Sequence, residues 1–223
     1  MSLSEGAKGA EPPPNLKMGK KHYTGRGAAL DDAGISCLQK YFNLLKDCSQ
    51  HTQASFAHDR VDLVAAMTEL KWRCAHAGNF DAGCKIIFIG NGGSSAISSH
   101  MATDFSKNGG MRAIAFNDAP TLTCLGNDFG IDEIFAKQLE FYALPGDLVI
   151  IVSSSGKSKN ILRAAEQAFE MGLDLVTFSG MNPNNVLREK GLLSFYVPAK
   201  DYGLVEMTHL ALLHSILSVQ GAM

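Results

Sequence analysis

From residue 85 onward the chain alternates short apolar runs with polar turns and stretches of helical spacing. Residues 85–89 (KIIFI) are a β-branched run of the kind that makes a buried strand, residues 90–95 (GNGGSS) read as a turn, and residues 96–105 carry helix-compatible spacing. The pattern then repeats. Strands are predicted at 112–117, 148–152, 173–178 and 192–197, and helices at 131–142, 160–171, 184–189 and 204–219. Ile134, Phe135, Leu139 and Tyr142 recur three and four apart, and Gly172 closes the helix before it. Apolar strands alternating with helices predict an α/β fold: a five-stranded parallel sheet, doubly wound, sandwiched by helices and joined by right-handed crossovers. In such sheets a ligand lies beyond the carboxyl ends of the strands.

Two extra helices precede the first strand. One is predicted over 30–53, with Ile35, Leu38, Phe42 and Leu45 at helical spacing, and one over 61–76, with Leu63, Val64, Met67, Leu70 and Cys74 on one side. Their apolar faces need covering, and the same pair from a second copy of the chain is one available partner. Residues 1–27 hold Pro12, Pro13 and Pro14, several glycines and Lys17, Lys20 and Lys21, and read as an exposed tail. Residues 28–223 are expected to form a single domain.

Composition narrows the class. With 223 residues, 46% hydrophobic, 19% charged and a net charge of -2, the chain is an ordinary globular protein with no pointer to nucleic acid. Its apolar runs are too short to span a bilayer and the N-terminus lacks a signal-peptide core, so a cytoplasmic location without membrane attachment is expected. The five cysteines are scattered and include no C-x-x-C, which argues against a disulfide framework or a zinc finger and leaves most of them as buried small hydrophobes.

Two loops offer chemistry. In the first, Gly92 and Gly93 remove side chains that would hold a ligand off the backbone, and backbone N–H groups, serine hydroxyls and a helix N-terminus offer donors to an anion. It matches neither the triphosphate nor the dinucleotide glycine pattern, so no nucleotide cofactor is indicated. The second, Ser153-Ser154-Ser155-Gly156-Lys157-Ser158, follows a buried strand and precedes a helix. One or two of these serines would be accounted for as ordinary helix caps; four hydroxyls in six residues point to a phosphate monoester held by neutral groups, with Lys157 available to add charge.

Imidazoles and carboxylates also fall at helical spacing. His100 and Asp104 are four apart and share a face, as do Glu206 and His214, eight apart. Two imidazoles and two carboxylates suit a first-row divalent ion, but helices also carry such residues on solvated faces, and spacing alone does not decide between these. His209 faces partly away from Glu206 and His214. Asn127 and Asp128, between Gly126 and Gly130, read as a turn that either caps a helix or presents polar groups to sugar hydroxyls.

Taken together, residues 90–95, His100-x-x-x-Asp104, residues 125–130, residues 153–158 and Glu206-x-x-His209-x-x-x-x-His214 stand in the order and spacing of the sugar isomerase (SIS) domain, over roughly residues 30–220. Within that family the chain resembles the phosphoheptose isomerases, which convert sedoheptulose 7-phosphate to a mannoheptose 7-phosphate for lipopolysaccharide or capsule precursors. The resemblance implies an SIS-type sheet, a homotetramer with active sites where subunits meet, and a phosphosugar substrate. It places the phosphate on Ser153, Ser154, Ser155 and Ser158 and the sugar on Asn91, Gly92, Gly93, Ser94 and Asp128. Asp104 and His214 fall on the acid/base pair, and His100, Asp104, Glu206 and His214 on a set that binds zinc in some members. Three alternative functions stay open: a non-catalytic protein that binds a replication initiator, as one relative does, a phosphosugar-binding module, and an isomerase of another ketose phosphate.

Three positions depart from the family pattern. Asp104 stands for glutamate, which draws the carboxylate back by about 1.5 Å, one C–C bond. Glu206 stands for glutamine and adds a charge to the implied ligand set. Two close carboxylates repel unless a proton or cation lies between them, which favours a bound metal. Gly203 stands where the family often has a polar side chain.

Overall fold

The computed structural model describes residues 32–79, 81 and 83–218, so the expected tail over residues 1–27 lies outside the described residues. Among the described residues seven strands form one sheet in the order β2-β1-β7-β6-β5-β3-β4. The five expected strands are its parallel part: β3 (Ile86–Gly90), β4 (Ala113–Ala115), β5 (Leu148–Ser153), β6 (Asp174–Gly180) and β7 (Leu193–Val197).

The other two strands correct the five-stranded expectation. β1 (Gln53–Phe56) and β2 (Asp59–Val61) make a hairpin whose first strand pairs antiparallel with β7. Both are short, and their two-residue turn uses Ala57 and His58 at positive φ (47° and 74°), where Asn and Gly are the recognisable choices. A signal-poor turn between half-buried strands is not legible from composition.

Period-two alternation sends each central strand to two cores. Ile86, Phe88, Leu148, Ile150, Val176, Phe178 and Phe195 face α2 (Leu63–Ala77), α3 (Gly92–Lys107) and α7 (Tyr202–Ser218). Ile87, Ile89, Val149, Ile151 and Leu175 face α4 (Ala119–Asp128), α5 (Ile134–Tyr142) and α6 (Lys159–Glu170). Asp62 opens α2 as its N-cap by accepting from the N–H groups of Val64 and Ala65. The helix α1 (Asp32–Gln50) lies within the expected span but ends three residues earlier, because Gln53 opens β1; Cys48 and Leu45 pack with Val197, Leu204 and Val205, while Phe42 is 61% exposed. Cys48 and Cys74 are buried, but Cys37 and Cys124 are exposed and Cys84 is half-buried, so the expectation that most of the cysteines are buried does not hold.

Two local readings change. The glycine loop is not a turn through residue 95, because α3 already begins at Gly92, with Asn91 as its N-cap. The Gly126-Asn127-Asp128 stretch is not a turn either. It is the end of α4, a helix opened by Asp118, whose carboxylate accepts from the Thr121 hydroxyl and N–H. Thr121, Thr123, Pro120 and Gly126 all weaken a helix signal in sequence, and burial of Leu125 against the second core supplies what propensity lacks.

Candidate active site

β3 lies between β4 and β5, so the chain leaves β3 toward one side of the sheet and crosses to the other side for β5. That is a switch point in strand order, and it opens a crevice at the carboxyl ends of β3 and β5. α3 leaves β3 over the first core and α6 follows β5 over the second, so the two candidate loops stand side by side and diverge to opposite faces.

In the first loop, Asn91 and Gly93 are exposed and Ser94 is buried. Gly92 takes φ 53°, which glycine adopts without a Cβ penalty. Asn91 is an N-cap in extended conformation, yet its side chain makes no cap bond and turns to Asn160 instead. In the second loop, Ser153 Oγ accepts from the Gly156 N–H at 3.3 Å. Among the described residues Ser154 Oγ, which is buried, has no hydrogen-bond partner, and Ser158, the N-cap of α6, makes no side-chain cap bond. The cap role therefore does not use up the Ser158 hydroxyl. A buried hydroxyl without a partner costs about 1–3 kcal/mol, which a bound oxyanion would recover. Gly156 holds φ 60° with the Asn185 side chain tight against it: a Cβ there would lie 2.2 Å from Asn185 Oδ1.

α3 and α7 run side by side in the same direction. Gly93 meets Glu206, His100 meets His214, and Gly109 meets Leu217. The Nε2 atoms of His100 and His214 are 3.1 Å apart, and Asp104 Oδ2 lies 3.6 Å from His100 Nε2 and 3.6 Å from His214 Nδ1. These three residues offer donor atoms within 4.8 Å of one another. In tetrahedral zinc sites with ligands at about 2.0–2.1 Å, neighbouring donors are about 3.3 Å apart; His214 meets His100 through Nε2 and Asp104 through Nδ1, so only one of these contacts can serve a shared ion, and the trio is a candidate ligand group with one donor atom each within 4.8 Å. Glu206 does not join it. Its carboxylate lies against Gly93, 2.5 Å from where a Cβ would stand, about 10 Å back along the helix seam at 1.5 Å per residue.

Two further expected residues have their own surroundings. Asp128 is exposed at the end of α4, where its carboxylate accepts from Asn127 Nδ2 and the Cys124 thiol; among the described residues no hydrogen bond ties it to either loop. His209 is fully buried, with Nε2 donating to the Ser179 carbonyl at 3.0 Å and Nδ1 unpartnered. Burial pushes its imidazole down to about 4, with the bond to Ser179 acting in the opposite sense.

Residues that local spacing did not single out also shape the site. Asn160 pairs with Asn91, Asn185 packs on Gly156, and Asn117 Nδ2 reaches the Ser95 carbonyl and the Ser99 hydroxyl on α3. Each contact joins segments far apart in sequence, and no local spacing encodes it.

Residues 74–180 match the SIS domain family model, a span that holds both loops and Asp104 and ends before α7. The chain is similar to the phosphoheptose isomerase of Thermodesulfovibrio yellowstonii, at 33% identity over 74% of this chain and 83% of that protein. It is also similar to the phosphoheptose isomerase of a Bradyrhizobium species, at 31% identity over 78% of this chain and 90% of the other. A phosphoheptose isomerase structure from Neisseria gonorrhoeae shares the fold, with a TM-score of 0.69, 22% identity, and coverage of 85% of this chain and 98% of that one.

Proposed function

Because the chain belongs to the sugar isomerase (SIS) domain family, we propose that it is an aldose–ketose isomerase converting sedoheptulose 7-phosphate to a mannoheptose 7-phosphate through a cis-enediol. The observation that carries this reading is the meeting of His100, Asp104 and His214 on two helices, one of which begins at the glycine loop beside the serine loop. A phosphate-binding module needs the loops; it has no need of an acid/base group beside them.

In this reading Ser153, Ser154, Ser155 and Ser158 hold the phosphate, supported by the unpartnered Ser154 hydroxyl and the uncapped Ser158 side chain. Asn91, Gly92, Gly93, Ser94 and Asp128 line the sugar. Asp104 and His214 act as the acid/base pair: one removes the C1 proton of the ketose and returns a proton at C2, and the other moves protons between the two oxygens. The bond order shifts from C2–O to C1–O through the enediol, with no net gain or loss of electrons. His100, Asp104 and His214 would hold zinc or another divalent ion, which would polarise the substrate's carbonyl oxygen.

A homotetramer with sites at subunit boundaries completes the reading, and exposed Tyr41, Phe42 and Leu44 on α1 support an apolar surface for it. Among the described residues no helix is long and apolar enough to cross a membrane, which is compatible with a cytoplasmic enzyme supplying lipopolysaccharide or capsule precursors. The test is an NMR assay of sedoheptulose 7-phosphate with wild-type protein and His214→Ala. Appearance of the aldose with wild type and its loss in the variant supports the proposal; no conversion by wild type overturns it.

A further inference from the structure

We infer that Asn160 is a positioning residue, which ties the two loops together beyond the paired ends of β3 and β5 and fixes the orientation of the Asn91 carboxamide in the switch-point crevice. The inference rests on reading that crevice as the sugar phosphate site.

Asn91 Nδ2 donates to Asn160 Oδ1 at 2.8 Å and Asn160 Nδ2 donates to Asn91 Oδ1 at 3.1 Å, across 69 positions of sequence. Asn160 is 8% exposed while Asn91 is exposed, so the buried partner holds the one that meets the crevice. The pair lies just beyond the last paired register of β3 and β5, Gly90 opposite Val152. α3 and α6 pack on opposite faces of the sheet, and among the described residues no other hydrogen bond joins residues 91–95 to residues 153–160. Asn91 also forgoes the bond that an N-cap asparagine usually gives its own helix, so the bridge replaces a local contact worth about 1 kcal/mol.

The chemistry of the pair explains why both residues are carboxamides. Each has two N–H donors and one oxygen acceptor. The reciprocal arrangement uses one N–H and the oxygen of each, which leaves Asn91 a second N–H and an oxygen lone pair. Flipping Asn91 alone would set N–H against N–H and oxygen against oxygen, so the remaining donor is fixed in direction. The bridge is also neutral, whereas an aspartate at either place would put a negative charge beside a phosphate site and remove both N–H donors of that side chain.

A double-mutant cycle on the full chain tests this, with Asn91→Ala, Asn160→Ala and the double variant assayed for turnover and for inhibition by inorganic phosphate. Asn160→Ala is expected to lower kcat at least tenfold with the phosphate inhibition constant changed less than threefold. In the Asn91→Ala background it should cost less than twofold more. Asn160→Asp, of the same shape, should fail to restore kcat, and Asn160→Ser serves if the alanine variant does not fold. Equal losses in both backgrounds, or phosphate affinity falling as much as kcat, overturn the inference. Exchange of the Asn91 side-chain amide protons by NMR gives a readout that needs no substrate: slow in wild type and fast in Asn160→Ala is expected, and fast exchange in wild type overturns the bridge. Absence of sedoheptulose 7-phosphate turnover by wild type would instead sink the isomerase reading, with the exchange measurement still deciding the bridge.

Discussion

His100 and His214, 114 positions apart, meet through their Nε2 atoms at 3.1 Å. Two imidazoles can do this only if one donates and the other accepts, or if a cation lies between them. Asp104 stands beside both, but at 3.6 Å from each ring it is outside ordinary hydrogen-bond range. The shortfall of about half an ångström or more is what one added methylene, about 1.5 Å, can close.

Asp104→Glu is therefore expected to raise kcat, by up to about a hundredfold if the carboxylate is the misplaced group. Steady-state kinetics on sedoheptulose 7-phosphate decides it. A fall in kcat with unchanged KM would mean that the shorter side chain is matched to this site.

Metal content separates the three-residue donor group from the four-residue set implied by resemblance. Elemental analysis of purified protein should find a divalent ion in wild type and its loss in His100→Ala and Asp104→Ala. Glu206→Gln should retain it, because the Glu206 carboxylate lies against Gly93 rather than with the two histidines. Loss of metal in Glu206→Gln would show that Glu206 swings to the ion when one binds.

The glycines of the two loops predict unequal effects. A Cβ on Gly92 meets nothing within 4 Å, so Gly92→Ala costs only the left-handed backbone, about 1–2 kcal/mol. In Gly156→Ala the same backbone cost is joined by a clash with Asn185 Oδ1, whose side chain is itself tied down by the Asn182 carbonyl and the Arg188 N–H. Calorimetric titration with a sugar phosphate should show at least tenfold weaker binding for Gly156→Ala, with a smaller change for Gly92→Ala.

Buried His209 makes stability depend on pH. Its folded value, about 4, lies below the ordinary 6.5, so between these pH values the unfolded chain takes up the proton that the fold refuses. Its contribution is fully present above pH 6.5 and is lost as pH falls toward 4, by about 3 kcal/mol at 1.36 kcal/mol per pH unit. Chemical denaturation of wild type and His209→Gln from pH 7.5 to 5 should show a steeper fall for wild type. Parallel curves would assign the acid sensitivity to other groups.

The hydrophobic pattern by itself determined the five parallel strands, the flanking helices other than α4, and the position of the two polar loops after β3 and β5. Each rests on local physics: period-two burial in residues 86–90 and 148–153, and helical spacing in Ile134, Phe135 and Leu139. Where local preference was weak, the pattern was silent. The hairpin turns on Ala57 and His58, and α4 carries Pro120, two threonines and Gly126, so only packing against β7 and against the second core produces them. Helical spacing likewise put His100 with Asp104 on one face and Glu206 with His214 on another. Which face meets which, and in what register, was decided by the packing of α3 beside α7. That packing brings His214 to His100 and leaves Glu206 at Gly93. The Asn91–Asn160 bridge belongs to the same class, since a contact across 69 positions exists only after β3 and β5 lie next to one another.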